Sequence, residues 1–379
     1  MAAPVRILHL HSSFDLGGKE ARSIQLMNAW GKRARHVIVS GVDGATGARE
    51  RIGKHVDYEI AQVPPPLTGK PSVGRYEAIA RYMREFDLVL TYNWGAIDGV
   101  MARRAFGKGV PPVVHHEDGF NADEADGLKI ERNIYRRFAL GAAHALVVPS
   151  TTLEAIALKV WKQAAAKVRR IANGIRTELY AAEPRRGAIP GFARAEGEVV
   201  IGAVAGLRDV KNRPALIRAA GGLSGKFRIV IVGEGPDRQA IVDAAAAMGL
   251  SNQVVLPGFL PRPYEFMRLF DILAVSSKSE QFPVSVIEAM AAGLPVASLP
   301  VGDVKRMLAA DNAQFVAEWP TEVRLRDVIQ ALIDHPDIRA QVGAANRAKA
   351  VAEYDEATMV ARYAALYEEA MGRPGALGV

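Results

Sequence analysis

Two carboxylates eight residues apart, Glu280 and Glu288, stand in the stretch KSEQFPVSVIEAMAAGLPV at residues 278–296. Ile272–Val275 is a short apolar, β-branched run of the kind that forms a buried strand. Ser276–Gln281 reads as its exit loop and Pro283–Ala291 as the next helix, with Pro283 in the first turn, where a missing N–H is harmless. A helix start offers free N–H groups and the positive end of the dipole, which suits a phosphate. Glu280, just ahead of that terminus, and Glu288, about a turn and a half inside, can each accept hydrogen bonds from ligand hydroxyls. The plain alternative makes Glu280 a cap and Glu288 a solvated helix residue. The apolar neighbours Val286, Ile287, Ala289 and Met290 are awkward for that alternative.

Other loops carry complementary chemistry. VAGLRDVKN at 204–212 places Arg208 and Lys211 three residues apart after a strand, a pair of cations at a strand's carboxyl end or a solvated surface pair. Gly233 lies in IVGEGPDR, and Gly258 and Phe259 lie in VVLPGFL. The GEG at 233–235 is not a dinucleotide fingerprint: position 238 is Arg, and the motif does not follow the first strand. Near the N-terminus, Gly17-Gly18 permits close backbone approach to a ligand, with Lys19, Glu20 and Arg22 following at a helix start. TYNWGAIDG at 91–99 presents Asn93 and Trp94, and VVHHEDGF at 113–120 presents His115, His116, Glu117 and Asp118. Either His116 or Asp118 could orient or deprotonate a hydroxyl, which the family resemblance given below implies is that of an acceptor.

These loops need a scaffold that brings strand ends together. Apolar runs recur at Arg6–Leu10, His36–Ser40, Leu88–Leu90, Pro112–Val114 and Leu146–Val148, and again at Val199–Val204, Arg228–Val232, Val254–Leu256, Ile272–Val275, Pro295–Ser298 and Gln314–Val316. Helical stretches such as Lys19–Trp30, Pro236–Met248 and Arg324–Ile333 separate them. Continuous apolar strands alternating with helices imply parallel sheets covered on both faces, hence an α/β fold of two doubly wound domains. Pro, Gly and charge dominate 181–197, which reads as the linker between a first domain at 1–180 and a second at 198–360. The helical pattern from Pro336 to Met371 is expected to cross back, with about 360–379 packing on the first domain. Ligands of such sheets bind at the carboxyl ends of strands, so a site between two facing sheets is expected.

At 379 residues the chain is long enough for two domains, and 49% hydrophobic with 23% charged residues is a globular composition. No apolar run reaches a spanning length, and the first residues lack the apolar core of a secretory signal, so a cytoplasmic location is expected. Cysteine is absent, which removes disulfides and thiolate chemistry. The net charge of +7 is uneven. Residues 1–172 hold 25 Lys and Arg against 17 Asp and Glu, while 173–379 hold 23 against 24. The basic first half favours an anionic partner or is a solvated surface. LKIERNIYRRFAL at 128–140 sets Lys129, Arg132 and Arg136 on one helical face and Ile130, Ile134 and Phe138 on another, a pattern suited to an anionic membrane surface or to an ordinary surface helix. No aromatic and basic motif supports nucleic-acid binding.

The Glu-x7-Glu stretch resembles the signature of retaining glycosyltransferases of family 4, which have the GT-B fold of two Rossmann-like domains facing across a cleft. VAGLRDVKN, IVGEGPDR, VVLPGFL, RRIANGIRTELY at 169–180 and HLHSSFDLGGKEARSIQLM at 9–27 resemble further segments of that family, in the same order. The resemblance implies a nucleotide-sugar donor, most often a UDP-sugar, and no required metal or other cofactor. It gives Glu280 to the donor sugar, Glu288 to ribose hydroxyls, and Arg208 and Lys211 to the diphosphate. Gly17, Gly18, Gly233, Gly258, Phe259, Gln281, Phe282, Pro283 and Val284 complete the implied donor site, and Asn93, Trp94, His115 and His116 the implied acceptor site. Two departures stand out. The family commonly places Arg where this chain has Gly206, and glycine where it has Gln281. A saccharide, glycolipid or lipid-linked acceptor follows from the resemblance, with contact at the inner membrane face. An epimerase or phosphorylase of the same fold, or a non-catalytic sugar-binding protein, is the competing reading.

Overall fold

The computed structural model describes residues 3–120, 124 and 127–378. The chain forms two compact units, one made of Met1–Asn173 with Ala357–Val379 and the other of Gly174–Glu356.

The first unit is built on seven parallel strands: β1 (Val5–His11), β2 (Ala34–Ser40), β3 (Asp57–Ile60), β4 (Leu88–Tyr92), β5 (Val113–His116), β6 (Ala145–Val148) and β7 (Val168–Arg170), in the spatial order β3-β2-β1-β4-β5-β6-β7. Alternation along a strand sends successive side chains to opposite faces. In β1, Leu8 and Leu10 enter the core beneath helices Val73–Met83 and Asp98–Phe106. Val5 and Ile7 enter the opposite core, where Leu26 and Trp30 meet Met359, Tyr363 and Tyr367 of helix Glu356–Met371.

The second unit has five parallel strands, β8 (Val199–Val204), β9 (Phe227–Val232), β10 (Val254–Gly258), β11 (Ile272–Val275) and β12 (Val296–Ser298), in the order β10-β9-β8-β11-β12. Both sheets reverse strand order beside their first strand, between β1 and β4 and between β8 and β11. Such a reversal splays the following loops apart and leaves a crevice at the carboxyl ends.

Five details depart from the sequence reading. Strands β3 and β7 were not anticipated: both are short sheet edges, and β3 alternates exposed and half-buried residues. Residues 314–316 make only a single bridge, Val316 to Ser298, after a 3₁₀ segment at Ala310–Phe315. The expected helix from Pro336 onward is two, Pro336–Glu353 and Glu356–Met371. Its break is fixed by Ile175, whose N–H donates to the Tyr354 carbonyl (2.9 Å) and whose carbonyl accepts from the Glu356 N–H (2.8 Å). Pro283 is the N-cap with extended backbone, and the helix begins at Val284. Finally, 181–197, expected as a linker, belongs to the second unit, where Arg185 pairs with Glu265 (2.7 Å) and Arg194 with Asp271 (2.8 Å).

Candidate active site

In the second unit, the loops after β8 and β11 flank the strand reversal and lie together. Lys211 Nζ is 2.6 Å from Glu280 Oε1, which also accepts from Ser277 Oγ (2.8 Å). The Lys278 N–H donates to the Val210 carbonyl (2.9 Å), and Lys278 Nζ pairs with Asp209 (2.6 Å). Arg208 is exposed and makes no ion pair among the described residues. Its guanidinium folds back over Gly206: a Cβ there would stand 3.4 Å from Arg208 Nε and 3.5 Å from Nη2.

Gly233 and Gly235 have φ of 149° and 153°, and a Cβ on either would collide with the carbonyl of Ala205 or Leu207. Their first role is to let the loop after β9 press against the loop that carries Arg208 and Lys211. The Gly233 N–H donates to the Gly258 carbonyl (2.9 Å), which joins the end of β10 to the same cluster, and Phe259 beyond it is exposed. Helix Val284–Ala291 has no side-chain cap at its start. Gln281 Oε1 is shielded from solvent without a hydrogen-bond partner, and Phe282 packs edge-on against Tyr354 at 5.6 Å. Glu288 is half-buried and accepts from Tyr180 Oη (3.0 Å). Burial pushes its carboxyl up to about 7, and the Tyr180 hydrogen bond opposes part of that rise. Tyr180 lies in the quoted RRIANGIRTELY segment but was not picked out; nothing in its spacing pairs it with a residue 108 positions away.

In the first unit, Gly17 is the extended N-cap of helix Gly18–Trp30. A Cβ on Gly17 would meet the Glu20 carboxylate at 2.7 Å, whereas Gly18 has open space beside it. Glu20 pairs with Lys19 and lies 3.8 Å from His11; burial raises its pKa, and Lys19 opposes the rise.

The histidines at the end of β5 correct the sequence reading. His115 is buried, with Nδ1 2.8 Å from Thr91 Oγ1 and Nε2 3.7 Å from Glu117. His116 is buried too. Its Nδ1 donates to the Thr91 carbonyl (3.1 Å), and its Nε2 meets Tyr367 Oη at 2.7 Å, so neither nitrogen remains for a ligand. Burial, with Arg22 nearby, holds it well below the usual histidine range and therefore neutral. Asp118 is clamped by both terminal nitrogens of the buried Arg22, one at 2.8 Å, and its N–H donates to Asn93 Oδ1 (2.8 Å). Trp94 is half-buried and packs edge-on to Tyr135 at 5.4 Å.

Helix Ile130–Leu140 is turned the other way from the expected one. Arg136 is buried, hydrogen-bonded through both terminal nitrogens to Glu124 (3.0 and 3.1 Å) and ringed by Trp94, Phe120 and Trp161 at 5.1–5.3 Å. Arg132 shares Glu124 (3.0 Å). The outward stripe is apolar: Ile130, Ile134 and Phe138 are 74%, 64% and 57% exposed.

Two family models match this chain. One described as glycosyl transferases group 1 matches residues 188–349, and one described as glycosyltransferase family 4 matches 7–179. The chain belongs to the group 1, family 4 glycosyltransferases, and its two Rossmann-like sheets are those of the GT-B class. It is similar to EpsF of Bacillus subtilis, a protein assigned as a glycosyltransferase, with 27% identity over 76% of this chain and 78% of that one. It is similar to D-inositol 3-phosphate glycosyltransferase 1 of Catenulispora acidiphila, with 26% identity over 76% and 75%. The fold matches the crystal structure of Anabaena HepE in complex with UDP at a TM-score of 0.79 and 21% identity, covering 96% of this chain and 100% of that one.

Proposed function

We propose that this glycosyltransferase is a retaining hexosyltransferase that takes a UDP-sugar and needs no metal. The observation that carries the reading is the Lys211–Glu280 pair, a cation and a carboxylate 2.6 Å apart at the strand reversal of the second unit. Arg208 lies on the same loop as Lys211, and an uncapped helix start follows Glu280. These groups suit a nucleotide-sugar: hydroxyls to Glu280 and Glu288, and diphosphate to Lys211, Arg208 and the helix N–H groups. Gly233, Gly258, Phe259, Gln281, Phe282, Pro283 and Val284 are assigned to this donor site of the second unit. Anabaena HepE, whose fold this chain shares, has been crystallised with UDP and with UDP-glucose, which favours uridine as the base.

The acceptor is taken by the first unit through Asn93, Trp94 and Asp118, and its class is a glycan, glycolipid or lipid-linked saccharide. The bond between the sugar's anomeric carbon and the diphosphate oxygen breaks, and the acceptor oxygen bonds to that carbon on the same face. The acceptor proton leaves with the nucleoside diphosphate. Positive charge fixed at Lys211 and Arg208 offsets the charge growing on the leaving group. His116 is given no proton to carry, because both of its nitrogens are occupied.

No helix among the described residues is long and apolar enough to cross a membrane. Peripheral contact with an anionic surface is assigned to the outward Ile130, Ile134 and Phe138 stripe, with Arg104 stacked on Phe138 at 3.8 Å. Replacing Ile134 and Phe138 by Ser is then expected to abolish co-sedimentation with anionic vesicles; unchanged sedimentation removes this contact.

Thermal shift against nucleoside diphosphates and their sugars in EDTA tests the donor reading, followed by NMR of the anomer first released on slow hydrolysis. Stabilisation by UDP and release of the donor's own anomeric form are expected. No stabilisation by any nucleotide, or release of the inverted anomer, sinks it.

A further inference from the structure

One charged side chain at this site was not singled out by its sequence context. Asn212 adopts the left-handed conformation, with φ of 47°, and closes the loop that carries Arg208 and Lys211. That corner starts helix Arg213–Ala220 and turns Arg213 into the protein, where it is 3% exposed. Arg213 Nη1 donates to Ser276 Oγ (3.2 Å), and the Ser276 hydroxyl donates to the Lys211 carbonyl (3.2 Å). Ser276 is the first residue after β11 and is itself buried. Its neighbour Ser277 holds Glu280.

A buried guanidinium normally carries its own carboxylate, because an uncompensated charge away from water is strongly unfavourable. Arg213 has none among the described residues, and its Nε has no hydrogen-bond partner. Burial lowers its pKa to about 10, with Glu280 opposing, so it remains a cation at neutral pH. The charge it feels most, Glu280, is already bonded to Lys211. Packing alone would be served better by an apolar residue of similar volume.

We propose that Arg213 is a positioning residue of the transfer reaction. It locks the Lys211 main chain onto the loop bearing Glu280 through Ser276, and its buried charge makes the leaving diphosphate's environment more positive. This rests on the donor reading given above. Lys211 must keep one position while charge moves onto the leaving group, and a displacement of about 1 Å can lower turnover about 100-fold.

The test is steady-state kinetics with the donor that stabilises the wild type, on Arg213→Met, Arg213→Lys and Ser276→Ala, together with the double variant Arg213→Met/Ser276→Ala. Arg213→Met is expected to lose about 10- to 100-fold in kcat, with donor KM moving much less. Arg213→Lys restores most of the loss, because it returns the charge and a donor. Ser276→Ala reproduces part of it, and the double variant is no worse than Arg213→Met, because both act through one link. Should Arg213→Met fail to fold, Arg213→Lys and Ser276→Ala carry the same comparison. A purely structural role lowers the melting temperature but leaves kcat per folded molecule unchanged, and that result overturns the proposal. A wild type that binds no nucleoside diphosphate overturns the donor reading and this inference with it. A wild type that binds and turns over, beside an equally fast Arg213→Met, overturns this inference alone.

Discussion

The two sheets share a winding order around their first strands, yet they place their polar groups oppositely. The first unit carries them inside. His9 bonds to His36 (2.9 Å) and to Tyr92 (3.1 Å), His116 to Tyr367, and Arg136 to Glu124. The second unit has the more uniformly apolar interior, and it gathers Lys211, Glu280, Arg208 and Gln281 on loops at its strand ends. A buried polar group already bonded on every side is committed to the fold. One that keeps a free face at a strand end is available to a ligand. His116 and Lys211 came from sequence motifs of similar appeal, and this distinction separates them.

The contrast can be broken at three points. The largest effect is expected from Arg136→Met, which removes the buried cation 3.4 Å from the Glu117 carboxylate and takes two hydrogen bonds from Glu124. Losing one partner of a buried charge network destabilises by about 3–5 kcal/mol, read as a lower urea midpoint, while UDP affinity of the folded protein stays unchanged. A shift under about 1 kcal/mol would mean that the first unit's buried charges are idle.

Lys211→Met probes the other side. Turnover is expected to fall about 100- to 1,000-fold, as when one charge-stabilising donor is removed from an active site, while the urea midpoint falls less than for Arg136→Met, because the half-buried Glu280 keeps its hydrogen bond from Ser277 Oγ. Turnover within a few-fold of wild type would break the contrast from this side.

The smallest and sharpest effect concerns Glu288. Its folded carboxyl is raised to about 7, above the unfolded value, so the ligand-free protein holds a proton there between the two values. The associated stability is present at low pH and is lost as pH rises through about 7. Ribose hydroxyls donate to the ionised form, so donor binding expels that proton. A nucleotide-sugar, whose diphosphate does not titrate in this range, should bind up to about tenfold more tightly at pH 8 than at pH 6. Glu288→Gln should bind more weakly with a flat profile, and isothermal titration calorimetry at the two pH values reads both. A flat wild-type profile would detach Glu288 from the ligand.

Sequence patterning exposed the buried elements best. Strands such as β6, β8 and β11 are apolar on both faces and appear as continuous runs, whereas the edge strands β3 and β7, with one side open, carry charge and hide among loops. Periodicity placed Ile130, Ile134 and Phe138 on one face of their helix but says nothing about which face turns inward; Glu124, more than a turn away in sequence, decided that by claiming Arg136. The Glu280–Glu288 spacing was visible because both lie in one short segment. Arg213 was not, because its meaning depends on Ser276, 63 residues later, and on the left-handed corner at Asn212.

Helix Glu356–Met371 completes a core begun by β1, yet the whole second unit lies between them in the chain. A ribosome emits residues in order. Strand β1 and the helix that follows it therefore emerge long before Met359, Tyr363 and Tyr367 can cover them, while Gly174–Glu356 is being made. At about 5–20 residues per second that interval is roughly ten to forty seconds. The strands of the second unit, which is continuous in the chain, come together within it, and its last helix, Pro336–Glu353, only at its end. The first unit stays open along Trp30, Tyr92 and His116 throughout, an apolar face that the nascent chain bares to water until its last helix arrives.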